Sequence, residues 1–536
     1  MPPTLTYPGV YIEEIPSGVH TISGVATSIA AFIGWAPEGP TDHATLVQSW
    51  SDYANQFGGL DSRSYLGYAV NQFFGNGGQQ AYILRLVVNS AVKAAFPADT
   101  LAVAGHIDIP GSSGNAFTAT AIDEGQWSST YGVRIVVNPA DANRFSLLVV
   151  QTPSATQEIT VETFANLSMV AGDPQGRTVD SVINDPSTGS QLIRISNMNT
   201  TAGELPTPNP LSTPGNPPAP YMLAAPGGVT GNDGSVLQPG NADFHTALNS
   251  DGTGTGGVHL LDTVSIFNLL CVPGETDVPT VQNLQGYCHD HRAFYIVDTL
   301  QTVNLASLIA SGPGNITGAN SINSALYFPW VNAPDPLQQG RLRPFPPCGF
   351  VAGLYATTDA TRGVWKAPAG IDAGLTGESG LTVVLTDAQN GSLNIQAINC
   401  LRHFPVYGDV IWGARTLRGN DQVGSEWKYV PIRRLALFLE SSLYDGTQWV
   451  VFEPNDEKLW GQIRLNVGAF MQGLFLQGAF QGTTPQKAYF VKCDADNNPQ
   501  SSIDQGIVNI LVGFAPLFPA EFVVIQIQQM AGQLQA

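Results

Sequence analysis

The sequence predicts a mixed α/β, multidomain protein, and three observations carry that prediction. Across residues 264–298 an apolar run, a polar stretch and a second apolar run follow in the order strand, helix, strand, the unit that builds a mainly parallel sheet. Across residues 94–202 the pattern changes to short alternating runs, which marks a β-rich inserted domain. After residue 421 a period near 3.6 returns and gives two amphipathic helices followed by short strands. With 536 residues and 43% hydrophobic content, the chain has room for about three or four such units.

Taken in order, residues 7–15 read as a short strand between Pro8-Gly9 and Pro16-Ser17-Gly18, with no hairpin partner nearby, so residues 1–20 form an arm. Residues 30–34 are a buried strand, 49–57 a short helix stopped by Gly58-Gly59, 65–74 a second helix and 81–88 another buried strand. Residues 21–93 are therefore an α/β half-unit without its remainder. Inside the insertion, 117–122, 133–137 and 145–151 are strands. Proline and glycine dominate residues 203–257, a linker or extended surface loop. Residues 258–420 hold strands at 264–272, 293–298 and 325–330, with helices at 347–357 and 393–401 around them.

The last unit, residues 421–536, opens with Pro431 at a helix start and Leu435, Phe438, Leu439 and Leu443 on one stripe. A second helix carries Leu459, Ile463, Phe470 and Leu474, with Gly482 as its stop. Two β-like runs follow at 488–493 and 507–514. From 521 to 529, Val523, Ile525 and Ile527 alternate with Val524, Gln526 and Gln528, so the chain ends on a strand.

Charge is sparse: 22 basic and 42 acidic residues are 12% of the chain and leave a net charge of −20. That balance opposes phosphate neutralisation and speaks against nucleic-acid binding, while leaving protein partners open. The five cysteines are odd in number, widely spaced and without a C-x-x-C pair, which suggests neither a disulfide framework nor a zinc site. No apolar run reaches the roughly 18 residues a spanning helix needs, and the N-terminus lacks a leader pattern, so synthesis in the cytoplasm without membrane insertion is expected.

The strings W-K-Y-V-x-x-R-R, G-T-Q-W-V-V-F-E-P-N-D, A-Y-F-V-K-C-D and N-P-Q-S-S-I-D-Q-G-I-V-N-I-L-V-G-F-A-P-L-F-P-A-E-F-V-V-I-Q-I closely resemble the C-terminal domain of phage tail sheath proteins and their relatives in contractile injection systems. A second resemblance lies at the other end, in Y-P-G-V-Y-I-E-E-I-P-S-G and G-V-A-T-S-I-A-A-F-I-G-W-A-P-E-G-P. G-Q-W-S-S-T-Y-G-V-R-I-V-V and E-T-F-A-N-L-S-M resemble the insertion of larger sheath proteins. The resemblance implies a sheath core with a subtilisin-like α/β domain over 258–420, terminal strand arms and a helical homo-polymer around an inner tube. It also implies baseplate and terminal cap proteins as partners, further sheath paralogues among them, and a place in a phage tail or phage-tail-like particle.

A subtilisin-like fold raises the alternative of an enzyme, yet no G-T-S-x-A run opens a helix with an upstream Asp and His, so no catalysis is expected. In Cys288-His289-Asp290-His291 the two histidines point about 200° apart on a helix, which suits a helix end better than a metal site. Asp494-Ala495-Asp496-Asn497-Asn498 starts like a calcium loop, but Pro499 stands where Gly is needed and Gln505 where Glu is, leaving a turn. The glycines near 252–257 lack phosphate-loop spacing. No cofactor or metal is expected. The candidate functional residues are instead arm strands, Val10, Tyr11 and Ile12 at one end and Val523, Val524, Ile525 and Ile527 at the other, where main-chain bonds join neighbouring copies. Lys458 and Arg464, cations on one helix of an acidic chain, are the candidate tube contact, against the plainer reading of solvated charges.

Overall fold

The computed structural model describes residues 20–154, 157–200, 204–209, 219–224, 228–249 and 256–526. The N-terminal arm residues Val10, Tyr11 and Ile12, and Ile527 at the other end, lie outside them. From His20 the chain crosses the C-terminal unit and enters strand β1 (Ala30–Gly34), then β2 (Thr45–Val47), helix α1 (Trp50–Phe57), α2 (Leu66–Gly75) and β3 (Ala81–Arg85). Ser49 caps α1 by accepting from the Asp52 N–H, and Gly58 ends it at φ 79°, a left-handed position that suits glycine. Helix α3 (Ser90–Ala95) leads into the insertion.

The insertion holds β4 (His106–Pro110), β5 (Asn115–Ala121), β6 (Tyr131–Val137), β7 (Phe145–Ser154), β8 (Gln157–Leu167), α4 (Val179–Ile183) and β9 (Ile193–Ser196), completed by β10 (Tyr221–Met222) and β11 (Gly228–Val229). Two four-stranded sheets, in order β10-β6-β7-β8 and β11-β4-β5-β9, face each other over a core containing Phe117, Ile135, Leu147 and Ile193. The expected linker over 203–257 is thus corrected in part. Residues 221–222 and 228–229 extend the sheets, buried Asn209 takes the Ile135 N–H on its Oδ1, and α5 (Ala242–Leu248) packs Phe244 and Leu248 into the central core. Proline removes donors, but short edge strands tolerate it, so composition concealed a structured return path.

Beyond it come β12 (Leu269–Cys271), α6 (Val278–Asp290), β13 (Phe294–Asp298), α7 (Leu305–Ser311), β14 (Ser324–Phe328), the hairpin β15 (Val331–Asp335) and β16 (Arg341–Phe345), α8 (Cys348–Arg362), α9 (Asp387–Ile395), β17 (Ile398–Phe404) and β18 (Gly408–Ile411). The central sheet runs β18-β17-β14-β13-β12-β1-β3-β2, parallel except at the two edges. β1, β13 and β14 are buried along their whole lengths, which is why they read as unbroken apolar runs. The separation of 21–93 from 258–420 is corrected: β1 pairs with β12 on one side and β3 on the other, so both segments make one sheet. On one face α8 packs against α2; a Cβ on Gly349 would meet the Ala69 carbonyl oxygen at 2.4 Å, so glycine sets that approach.

Two local expectations are also corrected. The helix expected over 393–401 ends at Ile395, Ala397 takes φ 65°, and Ile398 begins a strand whose first four residues are buried. The Thr386–Gln389 capping box fixes that helix earlier in sequence. The strand expected over 264–272 is confined to Leu269–Cys271.

The C-terminal unit contains α10 (Val430–Gly446), α11 (Glu457–Leu476), the short α12 (Pro485–Ala488), β19 (Tyr489–Lys492), α13 (Gln500–Asp504) and β20 (Leu511–Phe514). Leu435 and Leu439 meet Ile463, Val467 and Met471 in its core, with Phe438, Phe470 and Leu443 partly buried around them. The stop expected at Gly482 is corrected to Gly478 at φ 81°. Residues near the N-terminus tie in here: His20 stacks on Trp449 at 4.1 Å, and the Val25 N–H donates to Ser442 Oγ at 3.1 Å. Among the described residues no helix is long and apolar enough to cross a membrane.

Candidate assembly surfaces

β19 and β20 form an antiparallel two-stranded sheet with Tyr489 opposite Phe514 and Lys492 opposite Leu511. No other described strand joins it, so each strand keeps one edge that no strand covers, with the Tyr489 N–H donating to the Pro485 carbonyl at the start of β19. A two-stranded sheet is marginal by itself, and open edges accept further strands.

Downstream of β20 the chain leaves this sheet and is held at Glu521. Its Oε1 accepts from Arg415 Nε at 2.6 Å and Asn394 Nδ2 at 2.7 Å; its Oε2 accepts from Arg415 Nη2 at 2.7 Å and the Tyr429 hydroxyl at 3.0 Å. Arg415 is fully buried and also donates to Asp421 Oδ1 at 3.1 Å. Burial alone would raise the Glu521 carboxyl, but the bonds from Arg415 and Asn394, the Arg415 charge and the Tyr429 bond outweigh it and hold it below its ordinary value. From this anchor Val523, Val524 and Ile525 run out at 80–81% exposure, with no strand partner among the described residues. Of the strand expected over 521–529, residues 521–526 form an extension with no strand partner among the described residues, and 527–529 lie outside them.

Lys458 is exposed on the first turn of α11, whereas Arg464, six positions later and about 120° round the helix, turns inward. Arg464 donates to Glu457 Oε1 at 2.7 Å and to the Cys493 carbonyl. The two cations therefore do not share a face. The exposed row through Lys458 contains Leu465, Ala469 and Leu476. The sequence stretches weighed for chemistry are local structure: His291 caps α6 and reaches Asp262 Oδ1 at 3.1 Å, and Asn498 Oδ1 accepts the Asn509 N–H at 2.6 Å inside the 494–498 turn. All five cysteines are buried and free, and no group of three or more metal-ligating side chains occurs among the described residues.

Residues 422–530 match the family model described as the phage tail sheath C-terminal domain, and residues 260–417 match that of the phage tail sheath protein central domain. The chain belongs to the phage tail sheath family. It is 31% identical over 167 residues to the tail sheath protein of Vibrio phage KVP40, an alignment covering 31% of this chain and 23% of that protein. It is 27% identical over 284 residues to a prophage major tail sheath protein of Pseudomonas aeruginosa strain UCBPP-PA14, covering 51% of this chain and 69% of that one. The fold resembles the sheath complex of an extracellular contractile injection system, PVC, in its contracted state, with TM-score 0.56 and 21% identity over 98% of this chain and 99% of that chain.

Within this sheath chain, the string W-K-Y-V-x-x-R-R turns out to join the C-terminal unit to the central one. Arg434 pairs with Asp359 at 2.6 Å, both nearly buried, and donates to the Thr27 carbonyl. Arg433 donates to Asn323 Oδ1 at 3.0 Å and lies over Trp427, while Lys428 and Tyr429 reach toward Glu521. The sequence reading passed over Arg415, Glu521, Arg433 and Arg434. Adjacent arginines at a helix start, in a chain with few charges, were the available signal.

Proposed function

We propose that the chain is the structural subunit of a contractile sheath, polymerising helically around an inner tube and contracting to drive that tube through a target envelope. One observation carries the reading: an open two-stranded sheet is followed in the chain by an anchored apolar extension that has no strand partner among the described residues. Val523, Val524, Ile525 and Ile527 of one copy, and Val10, Tyr11 and Ile12 of another, add to the edges of β19 and β20 of a third, with main-chain bonds making the join. The solved sheath complex with a similar fold, seen in a contracted state, supports this.

In this reading the exposed row of α11 faces the tube, with Lys458 as the contact and Arg464 holding the helix end through Glu457. The partners are other copies, the inner tube protein, baseplate and cap proteins and further sheath paralogues. After synthesis in the cytoplasm the chain becomes part of a phage tail or an extracellular injection particle. Its work comes from a metastable assembly and requires no catalytic site. Electron microscopy of the purified protein tests the reading. Long hollow cylinders are expected, and a monomer that stays monomeric at high concentration would refute it.

A further inference from the structure

Two features of the surface lack a counterpart among the described residues. The first is a cavity of about 920 Å³ where the central unit meets residues 517–522. Lys366 lies in its wall with Nζ held by the carbonyls of Ala367 at 2.7 Å and Ala369 at 3.3 Å, and it makes no ion pair among the described residues. Arg362 beside it has a long contact to Asp372, 3.6 Å, at the solvent edge. Burial and then the Arg362 charge pull the Lys366 ammonium below its ordinary value, against a smaller opposing pull from Asp372. Trp365 and Trp412 add aromatic wall.

The second feature is Phe452, the most exposed large apolar side chain among the described residues at 103%. Its φ of 70° is a left-handed position that a bulky residue rarely takes, and such strain persists where the surroundings impose it. Glu453 beside it is exposed and forms no ion pair among the described residues. The wall also holds Asp387, paired with Arg402 at 2.7 Å, and Glu521, paired with Arg415 at 2.6 Å, which leaves Lys366 as the wall cation without an ion pair among the described residues; an aromatic ring with an adjoining carboxylate is what such a cavity would hold.

We propose that the Phe452–Glu453 knob of one copy seats in the Lys366–Arg362 cavity of the next copy in the polymer. Phe452 is bare among the described residues, and a second copy supplies the cavity that covers it. Knob and cavity are different surfaces, which makes the contact heterologous, and a heterologous contact that does not close propagates a helix. It rests on the sheath reading only for its setting and uses side chains, apart from the main-chain stitching at β19 and β20.

The test is a charge exchange between copies. One variant carries Glu453→Lys; the other carries Arg362→Glu with Lys366→Glu, or with Lys366→Gln if the monomer melt shows that the double reversal unfolds. Each alone is expected to raise the protein concentration needed for cylinders by roughly ten-fold, the scale of a lost interface anchor. An equimolar mixture should restore assembly, because each knob then meets an opposite charge. Phe452→Ala should weaken assembly as much while leaving the monomer melt unchanged. Wild-type assembly by every variant, or a mixture no better than its components, overturns the knob contact and leaves the sheath reading intact. A Phe452→Ala effect confined to tube co-sedimentation also overturns it. Should the wild type form no cylinders, the sheath reading fails, and sedimentation velocity of the same mixtures decides the knob contact alone through charge-dependent self-association.

Discussion

Replacing Glu521 with alanine removes four hydrogen bonds and the main partner of a buried guanidinium. Breaking a buried pair from one side leaves an uncompensated charge, a loss of about 3–5 kcal/mol in buried sites. Arg415 keeps Asp421 at 3.1 Å and the Gly419 carbonyl at 3.3 Å, so the lower end applies, about 3 kcal/mol. The assay is urea unfolding of the monomer followed at the transition of the central unit, with hydrogen exchange along residues 511–526 as the local readout. The pH dependence has a definite sign. The folded carboxyl lies below its ordinary 4.5, so its stabilisation is fully present above that pH and is lost as the pH falls further. Glu521→Gln should therefore be weaker than wild type at pH 7 and converge with it in acid. A Glu521→Ala loss below about 1 kcal/mol, the range of an exposed pair, would refute the clamp as the anchor of the extension.

Ile525→Pro, which removes a ladder donor, should abolish cylinders while Gln526→Ala does not, and neither should move the monomer melt; cylinders from the proline variant in negative stain would count against arm pairing. Lys458→Glu should lower co-sedimentation with the tube at 50 mM salt and less so at 500 mM, conditions separated by about a threefold change in Debye length. Glu38 is pushed up to about 7, first by burial and then by Asp123 and Asp233 against the relief of Arg85, so its stabilising protonated form is lost as pH rises through that value. Glu38→Gln should accordingly melt higher than wild type at pH 8, by at most ~3 kcal/mol, with the difference vanishing by pH 4.5, as differential scanning calorimetry can read.

Local elements were legible where one chain segment determines its own structure. Residues 30–34 form β1 because five consecutive small or apolar residues suit a strand buried on both faces, and Ser49 with Gly58 delimits α1 by caps that are local bonds. What failed depended on distant partners. Nothing in residues 21–93 states that β1 must sit between β3 and β12, which are brought together across the whole insertion. Residues 398–404 have helix-compatible spacing, and only the neighbouring strand β14 decides for extension. The assembly surfaces split the same way. The alternation at 523–527 carries the expectation of an arm strand, while the residue that holds the extension, Glu521, is recognisable only beside Arg415, 106 positions earlier in sequence.

The interleaving of β1 and β3 with β12 has a consequence for biosynthesis. The ribosome delivers β1, β2 and β3 first, yet the neighbour that β1 requires emerges only after roughly 180 further residues. At translation rates of about 5–20 residues per second, two apolar strands wait on the order of 10–40 s with an open edge. The insertion made in that interval closes a core of its own and needs nothing downstream of β11 to do so. Nascent chains of this protein should therefore hold a folded insertion while their first segment remains a client for chaperones, and the central sheet should zip together only once β12 to β14 have cleared the exit tunnel.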